Sequence, residues 1–301
     1  MPPSFIKSPA VSVVIATYNR AELLTETIES VLKQTFRDFE LIVVDDGSTD
    51  NTEKVLKSYG DRLHYIHQEN RGPSAARNAG IQYARASWIS IQDSDDICAP
   101  DHLESLYRCV EKRTDLRMVF ANGAYLNDPK CKTIIPLKKS RRLAERGVQL
   151  NDLFSVSIVR LQAALLSREA LLSIGGLDEN LRIAMDLDLA FRFFMRFPIA
   201  YLDKVVFFYR RHEGNIGRNH ELRLLENLRV IEKLVQDFPD SIKILGRHHI
   251  NRRKAYRYYR LAKSRWKAGK KDAAKDALRE ALFLRPFFLK YRLYQILGAI
   301  F

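Results

Sequence analysis

Residues Gln92-Asp93-Ser94-Asp95-Asp96 set three carboxylates within four positions, directly after an apolar, strand-like stretch at 86–91. Like charges this close repel, and a folded chain tolerates them where a cation lies among them. Clustered carboxylate oxygens suit a hard divalent ion such as Mg²⁺ or Mn²⁺. Such an ion keeps open positions for substrate phosphates, so the run points to a metal that holds a diphosphate. The alternative is an acidic turn with a helix cap, because Asp favours both.

The surrounding chain must position that run. Val11–Thr17 is β-branched and reads as a buried strand, and Leu23, Leu24, Ile28, Val31 and Leu32 follow helical spacing. A second strand at 39–44 ends in Asp45-Asp46-Gly47-Ser48, after which Thr49 and Asp50 can cap a helix over 53–59. A short strand at 63–67 precedes Pro73, a good first-turn residue for a helix through 85. The strand at 87–91 leads into the acidic run, Pro100 opens a helix to about 113, and 117–121 reads as another strand. Alternating strands and helices imply a mostly parallel sheet with helices on both faces. Such sheets bind ligands outside the carboxyl ends of their strands. Thr17-Tyr18-Asn19, Asp45 to Ser48 and Asp93 to Asp96 all fall at such ends and should meet on one rim.

A chain of 301 residues can bury a full core and carry an appendage. Its net charge of +14 is unevenly spread. Residues 247–301 hold 16 Lys+Arg and 3 Asp+Glu, or +13, whereas residues 1–246 hold 34 and 33, or +1. The excess points to an anionic partner of the tail: a membrane surface, a nucleic acid or an acidic polymer. Cys98, Cys109 and Cys131 form no CxxC pair, which argues against a disulfide framework or zinc site and fits a reducing compartment. No signal peptide is expected, because the apolar 11–17 reads as a core strand. No stretch reaches the ~20 apolar residues of a membrane span. The expectation is a chain that is soluble or attached to a membrane surface.

From about 220 onward the chain reads as helical. Ala262, Gly269, Ala274, Ala281 and Pro286 match the small-residue and proline spacing of one tetratricopeptide-type hairpin. An ordinary helical hairpin is the favoured reading, since such repeats need stacking neighbours. The ending at 286–301 mixes aromatics, aliphatics, Lys290 and Arg292. It suits a membrane interface, packing back on the domain, or a homodimer contact.

Taken together, several segments resemble the family 2 inverting glycosyltransferases of GT-A fold. They are Val11-Ser-Val-Val-Ile-Ala-Thr-Tyr-Asn-Arg20, the stretch 34–50, Asn70-Arg-Gly-Pro-Ser-Ala-Ala-Arg-Asn-Ala-Gly80, Asp93-Ser-Asp-Asp96, Gly175-Gly-Leu-Asp-Glu179, Asp186-Leu-Asp-Leu189 and Tyr209-Arg-Arg-His212. They occur in the family's order over roughly 10–215. The resemblance implies a GT-A catalytic domain at 1–218, a Rossmann-like α/β sheet flanked by helices, followed by a basic helical region at 219–301. It implies transfer of a sugar from a nucleotide diphosphate sugar, by default a UDP-sugar, to a hydroxyl of a glycan or lipid-linked glycan. Thr17, Tyr18 and Asn19 would border the nucleotide, with Tyr18 against the base, Asp46 accepting a hydrogen bond from it and Arg77 reaching the same side. A buried Asp–Arg pair is the plain alternative for Asp46 and Arg77. Asp95 would hold Mn²⁺ or Mg²⁺, with Asp93 and Asp96 as ribose contacts or supporting partners and Asp93 and His212 as further metal contacts.

Asp186 would be the base that activates the acceptor hydroxyl. Where the family commonly has Glu-Asp-x-Asp, this chain has Met185-Asp186-Leu187-Asp188, so a contact often linked to the acceptor is missing. Gly176, Asp178 and Asp188 would shape the acceptor side, although helix-start capping is the plainer role for Asp188. A carboxylate on one face of the sugar and a diphosphate on the other imply in-line displacement with inversion. Relatives of this kind work on cell-surface polysaccharides, which implies a cytoplasmic enzyme held at the inner membrane face by residues 247–301 and no nucleic-acid partner. The competing reading is a non-catalytic transferase-like domain that acts through its helical tail. An oxidoreductase is disfavoured, because Thr17-Tyr18-Asn19-Arg20 stands where a GxGxxG would follow the first strand.

Overall fold

The computed structural model describes residues 8–155 and 157–300, with 295–300 described by backbone alone. The chain divides between His212 and Glu213 into two compact units.

The first unit is built on a single sheet. Its strands are β1 (Val11–Thr17), β2 (Phe39–Asp45), β3 (His64–His67), β4 (Trp88–Asp93), β5 (Ile97–Cys98), β6 (Met118–Tyr125), β7 (Ala164–Ser167) and β8 (Ile199–Tyr209). They lie in the order β3-β2-β1-β4-β7-β6-β8-β5. The helices are α1 (Ala21–Leu32), α2 (Thr52–Lys57), α3 (Pro73–Tyr83), α4 (His102–Lys112), α5 (Leu137–Arg146), α6 (Leu150–Ser155), α7 (Arg168–Ser173) and α8 (Met185–Phe194).

β1 is covered on both faces, so Val13, Val14 and Ile15 are all fully buried and the strand has no polar side. The amphipathic α1 turns Leu24, Ile28 and Val31 into that core. The expected sheet is present but more mixed than the alternation implied. β1 pairs in parallel with β2 and β4, and β6 with β8, whereas β7 enters antiparallel between β4 and β6. A short apolar run such as Ala164–Ser167 carries no directional signal. Because β7 opposes both neighbours, β4 and β6 run the same way, and the carboxyl ends of β1, β2, β4 and β6 share one rim.

Two boundaries differ from expectation. α3 stops at Tyr83 because Ala84 turns extended and the Arg85 N–H donates to Glu40 Oε1 at 2.8 Å. β6 runs on to Tyr125 through Asn122 and Gly123, whose types broke the strand pattern. Asn122 is buried and satisfied, donating to the Ile135 carbonyl at 2.8 Å and accepting from the Ile135 N–H at 2.9 Å.

The second unit is helical, as expected: α9 (His220–Asp237), α10 (Asp240–Leu245), α11 (Arg247–Lys267), α12 (Lys271–Leu284) and α13 (Leu289–Ile300). α11 and α12 form a hairpin in which Ala262, Ala277 and Ala281 are buried, and Gly269 makes the turn at φ +75°. Part of the ending packs back within this unit, since Tyr291 is buried and stacks on Tyr259 with ring centroids 4.9 Å apart. The side chains of 295–301 lie outside the described residues. Among the described residues, no helix is long and apolar enough to cross a membrane.

Gly80 lets α3 lie close on the sheet: a Cβ there would come within 2.5 Å of Val14 Cγ1 and 3.2 Å of Val44 Cγ2. We expect Gly80→Ala to destabilise the first unit by about 1–3 kcal/mol through overpacking. Urea unfolding should show a lowered midpoint; a midpoint equal to that of the parent would contradict this close approach.

Candidate active site

The rim begins where β1 ends. Tyr18 is 46% exposed there, an aromatic face open to a flat partner. Asn19 takes a left-handed φ of +50°, which Asn tolerates better than most residues. Its N–H donates to Ser48 Oγ at 2.9 Å and its Oδ1 accepts the Thr49 N–H at 2.8 Å, tying the loops after β1 and β2 together. The Asp46 N–H donates to the Thr17 carbonyl at 2.9 Å. The Asp46 carboxylate is buried and accepts from Gln68 Nε2 at 2.7 Å, the Arg71 N–H at 2.9 Å and the Gly72 N–H at 2.8 Å. It therefore shapes the turn that starts α3. Thr17 Oγ1 is buried without a partner among the described residues.

The acidic run follows at the end of β4. Ligand oxygens of Asp93, Asp95 and Asp96 all lie within 4.8 Å of one another. Arg77 Nη2 donates to Asp93 Oδ1 at 2.5 Å, and Gln162 Nε2 donates to Asp93 Oδ2. Asp96 accepts from the Arg210 N–H at 2.9 Å and from Gln162 Nε2 at 3.2 Å. Asp95 Oδ2 meets His212 Nε2 at 2.8 Å and Arg20 Nη1 at 3.5 Å. Asp95 Oδ1 is thus the one carboxylate oxygen of the three residues without a protein donor among the described residues. Burial pushes the Asp96 carboxyl well above the usual range, and the charges of Asp93 and Asp95 push it further. Asp93 is raised chiefly by burial, against the pull of Arg77. Carboxyls that stay raised beside an arginine lack positive charge, and three carboxylates with one imidazole beside them suit a divalent ion. The residues present fit such a group.

Asp186 stands in the first turn of α8, facing the same region. Its carboxyl is pushed up to about 6 by burial, with Arg160 opposing the shift and Asp93 adding to it. Arg160 Nη1 lies 3.9 Å from Asp186 Oδ2. Met185 Sδ sits 2.7 Å from Arg77 Nη1, so the thioether occupies a place next to the guanidinium. Ala184 precedes the helix and offers no side chain to cap it, and Asp188 lies in the first turn. Asp188 is buried and grips Arg192, whose Nε donates to Asp188 Oδ2 at 2.8 Å while Nη2 lies 2.7 Å from the same oxygen as an ion pair. Arg192 in turn donates to the Ile174 carbonyl at 3.0 Å, next to the Gly175-Gly176 turn. At Gly176, φ is +69° and a Cβ would come within 2.6 Å of Asn78 Oδ1. Asp178 Oδ1 accepts the Asn180 N–H at 3.0 Å and so shapes its own turn. Asp188, Gly176 and Asp178 are thus tied into local turns and an ion pair.

The fold therefore gathers Asp93, Asp95, Asp96, Arg77 and His212 into one network, with Asp186 charge-coupled to it. Arg20, Gln162, Arg160 and Arg210 belong to the same network and were not singled out from sequence. Arg20 and Arg210 lie inside quoted motifs, so their positions held a signal. Gln162 and Arg160 lie in a stretch with no recognised pattern.

Comparison with known proteins fits this geometry. The model of the family "Glycosyl transferase family 2" matches residues 12–174. An uncharacterized glycosyltransferase of Rickettsia prowazekii is 32% identical over 251 residues, covering 81% of this chain and 78% of that protein. Among solved structures, residues 1–349 of S. aureus TarS in complex with UDP-GlcNAc superpose with a TM-score of 0.62 at 19% identity, covering 90% of this chain and 81% of that one. The mannosyltransferase PcManGT of Pyrobaculum calidifontis, in complex with GDP-Man and Mn²⁺, gives 0.62 at 19% identity, covering 98% and 85%. At such identities the structures speak for the fold, which is GT-A.

The Asp46 geometry predicts a local effect. Asp46→Asn leaves one acceptor oxygen for three donors, so the turn at 68–72 should loosen at a cost of about 1–3 kcal/mol. Hydrogen exchange at the Arg71 and Gly72 amides should accelerate; unchanged protection would show that the turn holds without the carboxylate.

Proposed function

The chain belongs to glycosyl transferase family 2, and on that premise we propose a metal-dependent, inverting transfer of a sugar from a nucleotide diphosphate sugar, by default UDP-linked, to a hydroxyl of a glycan or lipid-linked glycan. The observation that carries this is the pairing on one rim of a carboxylate raised to about 6, Asp186, with an acidic cluster that keeps one free oxygen, Asp95 Oδ1. Two fold neighbours are complexes with UDP-GlcNAc and GDP-Man, the second also with Mn²⁺. These support a nucleotide-sugar donor.

In this mechanism Tyr18 offers its exposed ring to the base, and Thr17 Oγ1 and Arg77 Nε, both buried without partners among the described residues, bind polar groups of the donor. Asp95 would lead the hold on Mn²⁺ or Mg²⁺, with Asp93 and His212 beside it. Bound there, the ion would supply charge neutralisation for the departing diphosphate. Arg77 and Gln162 keep Asp93 fixed, and Arg210 keeps Asp96 fixed. Asp186 Oδ takes the proton of the acceptor hydroxyl as that oxygen attacks the anomeric carbon from the face opposite the diphosphate. A pKa near 6 leaves the carboxylate mostly ionised at neutral pH while keeping it more basic than an ordinary Asp.

We further propose that the enzyme is cytoplasmic and works at the inner membrane face, held there by residues 247–301. Each Lys or Arg near an anionic surface is worth on the order of 1 kcal/mol. α11 carries the larger share of this charge, with Arg252, Arg260, Lys263 and Lys267 exposed. Flotation with anionic vesicles should recover the full chain, and less of it as salt rises. Equal recovery after removal of 247–301 would rule this attachment out.

Transfer itself is tested with a panel of UDP-, GDP- and dTDP-sugars in the presence of Mn²⁺. Asp186→Asn should lower turnover by about 10²–10⁴-fold while donor binding persists. Asp95→Ala should abolish metal-dependent donor binding. For the parent enzyme, kcat/KM should fall about tenfold per unit below pH 6, since protonated Asp186 cannot accept the acceptor proton. A flat profile from pH 5 to 7, or full turnover by Asp186→Asn, would remove Asp186 from the role of base.

A further inference from the structure

We propose that Gln162 is a positioning residue that sets the spacing of the acidic cluster for its divalent ion. The inference rests on the transferase reading of this site. Gln162 lies in a short 3₁₀ turn, Leu161–Ala163, and is 5% exposed. Its amide nitrogen donates to Asp93 Oδ2 and to Asp96 Oδ2, so one NH₂ group bridges two carboxylates that repel each other. The amide orientation follows from chemistry. Turned over, Oε1 would face both carboxylates, and the repulsion would remain unrelieved. In the orientation observed, Oε1 is buried without a partner among the described residues, so the side chain serves through its donors.

Gln162 is itself anchored from behind. Its backbone carbonyl accepts Gln92 Nε2 at 3.0 Å, and the same nitrogen lies 3.2 Å from His102 Nε2. His102 is fully buried, with Nδ1 3.0 Å from the Val206 carbonyl. A carbonyl only accepts, so Nδ1 carries the proton and Nε2 is the acceptor for Gln92 and for Ser90 Oγ at 3.1 Å. Burial holds His102 down to about 4, so this neutral form persists across the physiological range. β4, the start of α4, β8 and the 3₁₀ turn are thereby locked together beneath the two carboxylates.

A metal site depends on the partners that orient its ligands, and loss of one such partner typically costs 10–100-fold in affinity. Gln162→Met keeps the length and volume of the side chain and removes the donors. We expect Mn²⁺ affinity, measured by calorimetry with UDP present, to fall by about 10–100-fold, with the spectrum of bound Mn²⁺ broadened in electron paramagnetic resonance. Turnover should recover to within a few-fold of the parent at saturating Mn²⁺, a recovery that a mere folding defect would not give. Gln162→Asn, too short to span both carboxylates, should show an intermediate loss and serves if the Met variant does not fold. A folded variant of either kind with Mn²⁺ affinity within twofold of the parent overturns the inference. Absence of any Mn²⁺ or UDP binding by the parent chain would instead overturn the reading of the site.

Discussion

Repulsion among Asp93, Asp95 and Asp96 is the constraint around which the first unit is arranged. Three carboxylates cannot share a buried turn unless positive charge and N–H donors surround them. Here those groups come from far along the chain: Arg20 after β1, Arg77 on α3, Gln162 before β7, and the Arg210 N–H and His212 after β8. No local segment could supply them. The mixed sheet brings the ends of these elements to one rim, and the core behind it is what keeps them there.

The balance is incomplete in a useful way. Asp93 and Asp96 are each held through both oxygens, whereas Asp95 Oδ1 has no protein donor among the described residues. Asp186 is charge-coupled to the same cluster yet contacts Arg160 only loosely, so burial dominates its acidity. Two carboxylate environments on one rim thus differ in character: a hydrogen-bonded cluster raised by burial and mutual repulsion, and a single buried carboxyl raised to about 6.

Much of this was legible in the residues. β-branched runs at 11–17 and 39–44, each ending in polar residues, announced buried strands whose carboxyl ends meet. The acidic run and the order of the motifs identified the family that the comparisons then gave. Strand direction was not legible, because Ala164–Ser167 reads the same in either sense. Partners at long range were also hidden: nothing in Leu161-Gln162-Ala163 says that its amide will bridge carboxylates 66 and 69 residues away. The position of Asp188 suggested a helix cap, but its burial and its tie to Arg192, which reaches the Ile174 carbonyl, could not be read from the sequence.

The reach of these contacts bears on how the protein comes into being. His212 meets Asp95 across 117 residues, and Arg20 meets His212 across 192. Parallel pairing and contacts of such separation form late, since the intervening loop entropy must be overcome first. A nascent chain therefore carries its acidic cluster unbalanced until residues 210–212 have left the ribosome. The rim is complete only once the last strand of the sheet has been made, so its full set of contacts reports that the first unit has finished folding.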